Sequence, residues 1–189
     1  MAATANPGKL REMAEILGGQ IELLSRPAEI PDVVESAPDL AGNARLKAEA
    51  IRAATGRAAL ADDTGLEVDA LDGEPGVRSA RFAGDDAGDA DNVALLLTRL
   101  EGVDVRSARF HTVVCLAATD AEAVFAEGWC EGSIARAATG SEGFGYDPVF
   151  VPSDGDGRTF AEMTGDEKHA ISHRGRALRA LAAALEASV

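Results

Sequence analysis

Apolar residues recur at Leu10, Met13, Ile16 and Leu17. This spacing of three and four predicts an amphipathic helix over 9–17, stopped by Gly18-Gly19. A short apolar run predicts a strand at 21–24. The stretch 26–38 holds three prolines and several acids, which predicts a loop. An alanine-rich helix follows over 40–54 and ends at Thr55-Gly56; on it Asn43 and Lys47 lie four apart and share a face. The run 58–61 reads as the end of a buried strand, and Asp62-Asp63-Thr64-Gly65 follows it directly. Gly73-Glu74-Pro75-Gly76 is a turn. A helix is expected over 91–100, with Asp89 or Asp91 near its start. Alternation predicts strands at 109–118 and 122–129, joined by a turn at Asp120-Ala121. The stretch 140–148 is a glycine-rich aromatic loop, Gly155-Asp156-Gly157 a further turn, and Ser172 the N-cap of a last helix running to 187. This order predicts a mixed α/β sheet covered by helices.

Composition narrows the class. A chain of 189 residues suits one domain, spanning 1–189, with room for two lobes. Only 4% of residues are aromatic, so the core is expected to rest on Ala, Leu and Val. The net charge of −14 argues against a nucleic-acid polymer as partner, because phosphate-backbone binding needs clustered Lys and Arg. A free nucleotide is not excluded, since a few local cations and a metal suffice. No run approaches the ~18 apolar residues of a membrane span, and no basic-then-apolar leader opens the chain. No membrane partner and a cytoplasmic, reducing setting are therefore expected. Cys115 and Cys130 lie in apolar runs without metal-binding spacing, as small buried hydrophobes do.

Four segments carry candidate chemistry. Thr4-Ala5-Asn6-Pro7-Gly8-Lys9 precedes a helix, whose free N–H groups and dipole suit a phosphate; ordinary turn-and-cap chemistry is the alternative. Asp62-Asp63-Thr64 offers hard oxygens suited to Mg²⁺, which takes one or two carboxylates plus substrate phosphates and waters; a turn is the alternative. Gly143-Phe144-Gly145-Tyr146-Asp147-Pro148 allows close backbone approach and offers flat faces for a base, or is a structural loop. Lys168, His173 and Arg174 gather near a predicted helix start, where cations oppose the dipole unless an anion is present; a solvated basic patch is the alternative.

The four segments occur together and in order. Through TANPGK, ALADDTGLEVDALDGEPGVRSARFAG, GFGYDPVF and EKHAISHRGRAL the chain resembles the inosine triphosphate pyrophosphatase family over nearly its whole length. The resemblance implies a long mixed β-sheet flanked by helices, with two lobes around a central nucleotide-binding cleft, and a homodimer. It implies Mg²⁺-dependent hydrolysis of ITP, dITP and XTP to the nucleoside monophosphate and pyrophosphate. Carried over by residue, Thr4, Asn6 and Lys9 bind the triphosphate, and Lys47 faces the cleft. Asp63 is proton acceptor and Mg²⁺ ligand, with Asp62 as its acidic neighbour on the metal. Thr64 keeps a hydroxyl where serine is usual. Phe144, Gly145, Tyr146 and Asp147 bind the base, and Lys168, His173 and Arg174 contact purine and phosphate.

Two departures stand out. Family members usually carry an acid, expected as a further metal ligand, where this chain has Gly42. Either Asp63 works with substrate and water alone, or Glu35, Asp39 or Asp62 takes that place. Only Met1-Ala2-Ala3 precede Thr4, so the first strand is very short or the start lies upstream. Two other functions compete: a pyrophosphatase for modified pyrimidine nucleotides, which GFGYDP and SHRG oppose, and a non-catalytic nucleotide-binding module, which the loss of an acid at Gly42 would suit.

Overall fold

A computed structural model describes residues 1–4, 6–18 and 21–187. Gly19, part of the expected helix stop, and Ala5 of the first motif lie outside the described residues. Helices are α1 (Pro7–Ile16), α2 (Leu40–Thr55), α3 (Asp89–Arg99), α4 (Gly165–Ile171) and α5 (His173–Glu186). Strands are β1 (Ala59–Val68), β2 (Pro75–Gly76), β3 (Ser107–Ala117), β4 (Val124–Ile134) and β5 (Phe150–Pro152). They form one sheet in the order β2-β1-β3-β4-β5. β2 pairs antiparallel with β1, and β5 antiparallel with β4. A parallel bridge between Ala2 and Leu60 makes the sheet mixed.

Local chemistry explains the helix ends. Asn6 accepts from the N–H groups of Gly8 and Lys9, and Pro7 opens α1 with no N–H to satisfy. Asp39 caps α2 at the Gly42 N–H, and Gly56 closes it at φ +66°. Asp91 accepts from Gly88 N at the start of α3.

The chain divides into two compact units. The first comprises Met1–Asp63, Thr112–Gly128 and His173–Val189. Its sheet strands alternate between two apolar layers. Ala59, Ala61, Cys115 and Ala117 pack with Ala44, Ala48 and Ile51 of α2. Leu60 and Val114 pack with Met13 and Leu17 on one side, and with Leu178 and Leu181 of α5. This unit uses the small aliphatic core the composition predicts.

The second unit comprises Thr64–His111 and Trp129–Ser172. Its core also rests mainly on Leu, Val and Ala, and it gathers the aromatics Phe110, Tyr146, Phe150 and Phe160 among them. Phe150 lies 4.6 Å from Phe110 and 5.1 Å from Phe160, centroid to centroid, with Leu66, Leu96 and Leu100 around them. Few aromatics suffice because they are pooled in one place.

Three expectations are corrected. The carboxylate pair does not follow a strand; β1 runs straight through it, because each acid has a paired cation, Lys9 and Arg174 for Asp62 and Lys47 for Asp63, that offsets its loss of water. The stretch 21–24 is not a strand: one bond, Ala2 N to Leu24 O at 2.7 Å, is too little for a ladder. Lys168 lies on a separate short helix, α4, which the patterning missed, while Ser172 stands directly before α5 as expected.

Candidate functional site

In the first unit, β1 presents its two acids to opposite sides, as successive strand residues must be. Asp62 turns to the layer of α1 and α5. Its Oδ2 lies 3.1 Å from Lys9 Nζ and accepts from Arg174 at 2.9 and 3.2 Å. The same guanidinium donates to Glu12 of α1. Arg174, Asp62 and Glu12 are all buried. Burial alone would raise the Asp62 pKa, but Lys9, Arg174 and Lys47 outweigh it and hold the carboxyl well below the usual range. Burial depresses the Lys9 ammonium, with Asp62 opposing.

Asp63 turns to the α2 side. Its Oδ1 accepts from Lys47 Nζ at 2.7 Å and its Oδ2 from Asn43 Nδ2 at 3.2 Å. Lys47 Nζ also reaches Glu35 Oε1 at 2.8 Å, so one ammonium bridges two carboxylates. Burial, with Glu35 adding, raises the Asp63 pKa against the pull of Lys47 and Lys9. Burial works against the charged Lys47, but Asp63, Asp62 and Glu35 outweigh it and raise its pKa. Asn43 Oδ1 accepts from Ala37 N at 2.9 Å.

This geometry sorts the three acids named as substitutes for the one missing at Gly42. Asp39 is engaged as the cap of α2, Asp62 points to the other layer, and Glu35 shares a cation with Asp63. Gly42 itself has no room for a side chain. A Cβ there would stand 2.5 Å from the Ala37 methyl carbon and 3.1 Å from Asp39 Oδ1. No group of three or more His, Cys, Asp or Glu poised for a metal occurs among the described residues. Two carboxylates meeting on one cation still fit Mg²⁺, which keeps waters and substrate phosphates as its remaining ligands.

At the start of α1, Thr4 Oγ1 accepts from Asn6 N at 3.1 Å, and Asn6 serves as the cap. Lys9 stands one turn inside. His173 and Arg174 open α5, buried, where the helix lies tight on β4: a Cβ on Gly128 would be 2.1 Å from His173 O and 2.5 Å from Ala177 N. Patterning missed Glu12 and left Asn43 outside the site. The available signal was spacing, since Lys9 and Glu12 are three apart and Asn43 and Lys47 four apart.

In the second unit, Thr64 follows in β1 and is half-buried. The 140–148 loop is pinned from within. Phe144 N donates to Asp147 Oδ2 at 2.9 Å, and Lys168 Nζ reaches the same oxygen at 2.6 Å. That ammonium also lies 5.0 Å from the centroid of Phe144 and 5.6 Å from that of Phe160. Gly145 N donates to Asp89 Oδ2 at 2.7 Å, an anchor the patterning did not foresee. Tyr146 is buried in the core, its hydroxyl donating to Ser79 O at 2.8 Å. Phe144 and Gly145 remain half-buried, with their loop fixed in place.

The first unit thus gathers Lys9, Lys47 and Arg174 with the carboxylates of Glu12, Glu35, Asp62 and Asp63. By comparison with known proteins the chain belongs to the Ham1 family, whose model matches residues 1–184. It is 48% identical over 185 residues to a dITP/XTP pyrophosphatase of Exiguobacterium, covering 96% of this chain and 93% of that one. A dITP/XTP pyrophosphatase of Geobacillus kaustophilus is 46% identical, with 95% and 90% covered. Among solved structures, a HAM1 protein of Coxiella burnetii superposes with a TM-score of 0.87 at 41% identity, covering 98% of this chain and 96% of that one.

Proposed function

We propose that the protein hydrolyses non-standard purine nucleoside triphosphates of the ITP, dITP and XTP type to the monophosphate and pyrophosphate. The observation that carries this reading is Asp63. It is a buried carboxylate with its oxygens held by Lys47 and Asn43 and its pKa raised, as a positioned proton acceptor needs. The names of the Exiguobacterium and Geobacillus relatives support the substrate class.

Asp63 and Glu35 would hold Mg²⁺. Bound there, the ion would neutralise charge on the phosphates. Asp63 accepts the proton of the attacking water. Lys47 and Lys9 offset the negative charge of the phosphates. Asp62 keeps Lys9 and Arg174 in place. The 140–148 loop and Lys168 meet the base, where a donor aimed at a 6-oxo group is left unpaired by adenine. The crowding at Gly42 weakens the case for a binding-only module. The space for a side chain there is filled by Ala37, and Glu35 supplies an acid beside Asp63.

The test is product analysis across ITP, XTP, dITP, ATP and GTP with and without Mg²⁺. Pyrophosphate release from ITP or XTP with ATP nearly inert is expected. Orthophosphate as the product, or equal turnover of ATP and ITP, overturns the reading. Asp63→Asn is expected to lower kcat by about 10²–10⁴-fold while nucleotide affinity holds. A homodimer is part of the same proposal, read by sedimentation.

A further inference from the structure

We infer that Asn43 is a positioning residue, which fixes the Asp63 carboxylate and the Glu35-bearing segment in one arrangement; this rests on the function proposed above. Asn43 is 1% exposed in the first turn of α2. Its amide has a defined orientation, because the Ala37 N–H can only donate. Oδ1 therefore faces Ala37 at 2.9 Å, and Nδ2 is left to donate to Asp63 Oδ2 at 3.2 Å. One helical turn on, Lys47 reaches Asp63 Oδ1 and Glu35 Oε1 at 2.7 and 2.8 Å.

These bonds close a ring. It runs from Asn43 to Asp63, through Lys47 to Glu35, along the chain to Ala37 and back to Asn43. Two side chains four apart on α2 thus hold both acids, and they hold different parts of them. Lys47 supplies charge to one oxygen of Asp63. Asn43 supplies direction to the other, which stops the carboxylate from turning about its last bond. The bond to Ala37 keeps the polypeptide from drawing Glu35 away. Asparagine alone among small side chains offers both the acceptor and the donor at this reach. An aspartate would keep the acceptor for Ala37, but would set a second carboxylate against Asp63.

Two variants separate the bonds. Asn43→Asp retains the acceptor for Ala37 and loses the donor to Asp63; Asn43→Ala loses both. Amide hydrogen exchange in the absence of metal and nucleotide reads the structural half. The Ala37 amide is expected to stay protected in Asn43→Asp and to lose protection in Asn43→Ala. In the otherwise unaltered chain, Asp63→Ala is expected to speed exchange of the Asn43 side-chain amide. Pyrophosphate release from ITP reads the functional half. Both Asn43 variants are expected to lower kcat by about 10–100-fold, as for other groups that orient a ligand, with KM nearly unchanged. Full turnover by Asn43→Asp, or an Asn43 amide indifferent to Asp63→Ala, overturns the inference. Absence of pyrophosphate release from the unaltered chain overturns the proposed function instead, and the exchange experiments still decide the position of Asn43.

Discussion

At the residue scale, the acids at 62 and 63 are alike in sequence and unlike in surroundings. Asp62 offsets the buried Arg174 and the partly buried Lys9, so its loss leaves Arg174 to Glu12 alone among the carboxylates described above. Asp62→Ala is expected to destabilise the fold by about 3–5 kcal/mol, measured by urea unfolding. The milder Asp62→Asn is expected to raise KM for every triphosphate and leave the Mg²⁺ dependence unchanged. Cys115 offers a test in pH. Burial pushes its thiol up to about 11 from an ordinary 9.0. The fold therefore favours the neutral thiol, and the associated stability is complete below pH 9 and lost as pH rises towards 11. Cys115→Ala is expected to flatten that alkaline loss in a series of unfolding curves. Native protein at pH 8 is expected to resist alkylation at both buried cysteines.

At the scale of elements, tight packing places the site, and patterning does not see it. The helices α1, α2, α3 and α5 were legible because their apolar spacing and caps are local properties. So were the long strands β3 and β4. The three-residue β5 and the seven-residue α4 are too short to set a period. The passage of β1 through two acids ran against the rule that charge avoids a core. Only the partners on α1, α2 and α5, distant in sequence, reverse that rule. The site residues were legible as motifs, but their division between two layers was not. Glycines mark the close approaches. Replacing a helical glycine with alanine ordinarily stabilises by about 1 kcal/mol. Gly42→Ala is expected to do the reverse, since overpacking costs about 1–3 kcal/mol and the new methyl meets Ala37. Adding Ala37→Gly is expected to restore the gain in urea unfolding. Gly128→Ala meets backbone atoms of α5 that cannot step aside. It is expected to weaken triphosphate affinity through displaced His173 and Arg174, read by calorimetric titration.

At the scale of the whole molecule, each compact unit holds one set of candidate groups. The first contains Lys9, Lys47 and Arg174 with their carboxylate partners, the second the pinned aromatic loop with Lys168. Substitutions should divide accordingly. Lys9→Ala is expected to weaken all triphosphates alike, whereas Phe144→Ala is expected to change the ratio of ITP to ATP turnover. A substrate panel on both variants checks this division. The alternation along β1 has a consequence for how the gene tolerates change. Odd positions from Ala59 to Asp63 belong to one layer and even positions to the other. Deleting or inserting one residue just ahead of the pair would invert that parity. Both aspartates would survive, yet each would meet the other's partners. Length in this strand is therefore as strictly constrained as identity, and a count of retained acids would not detect the damage.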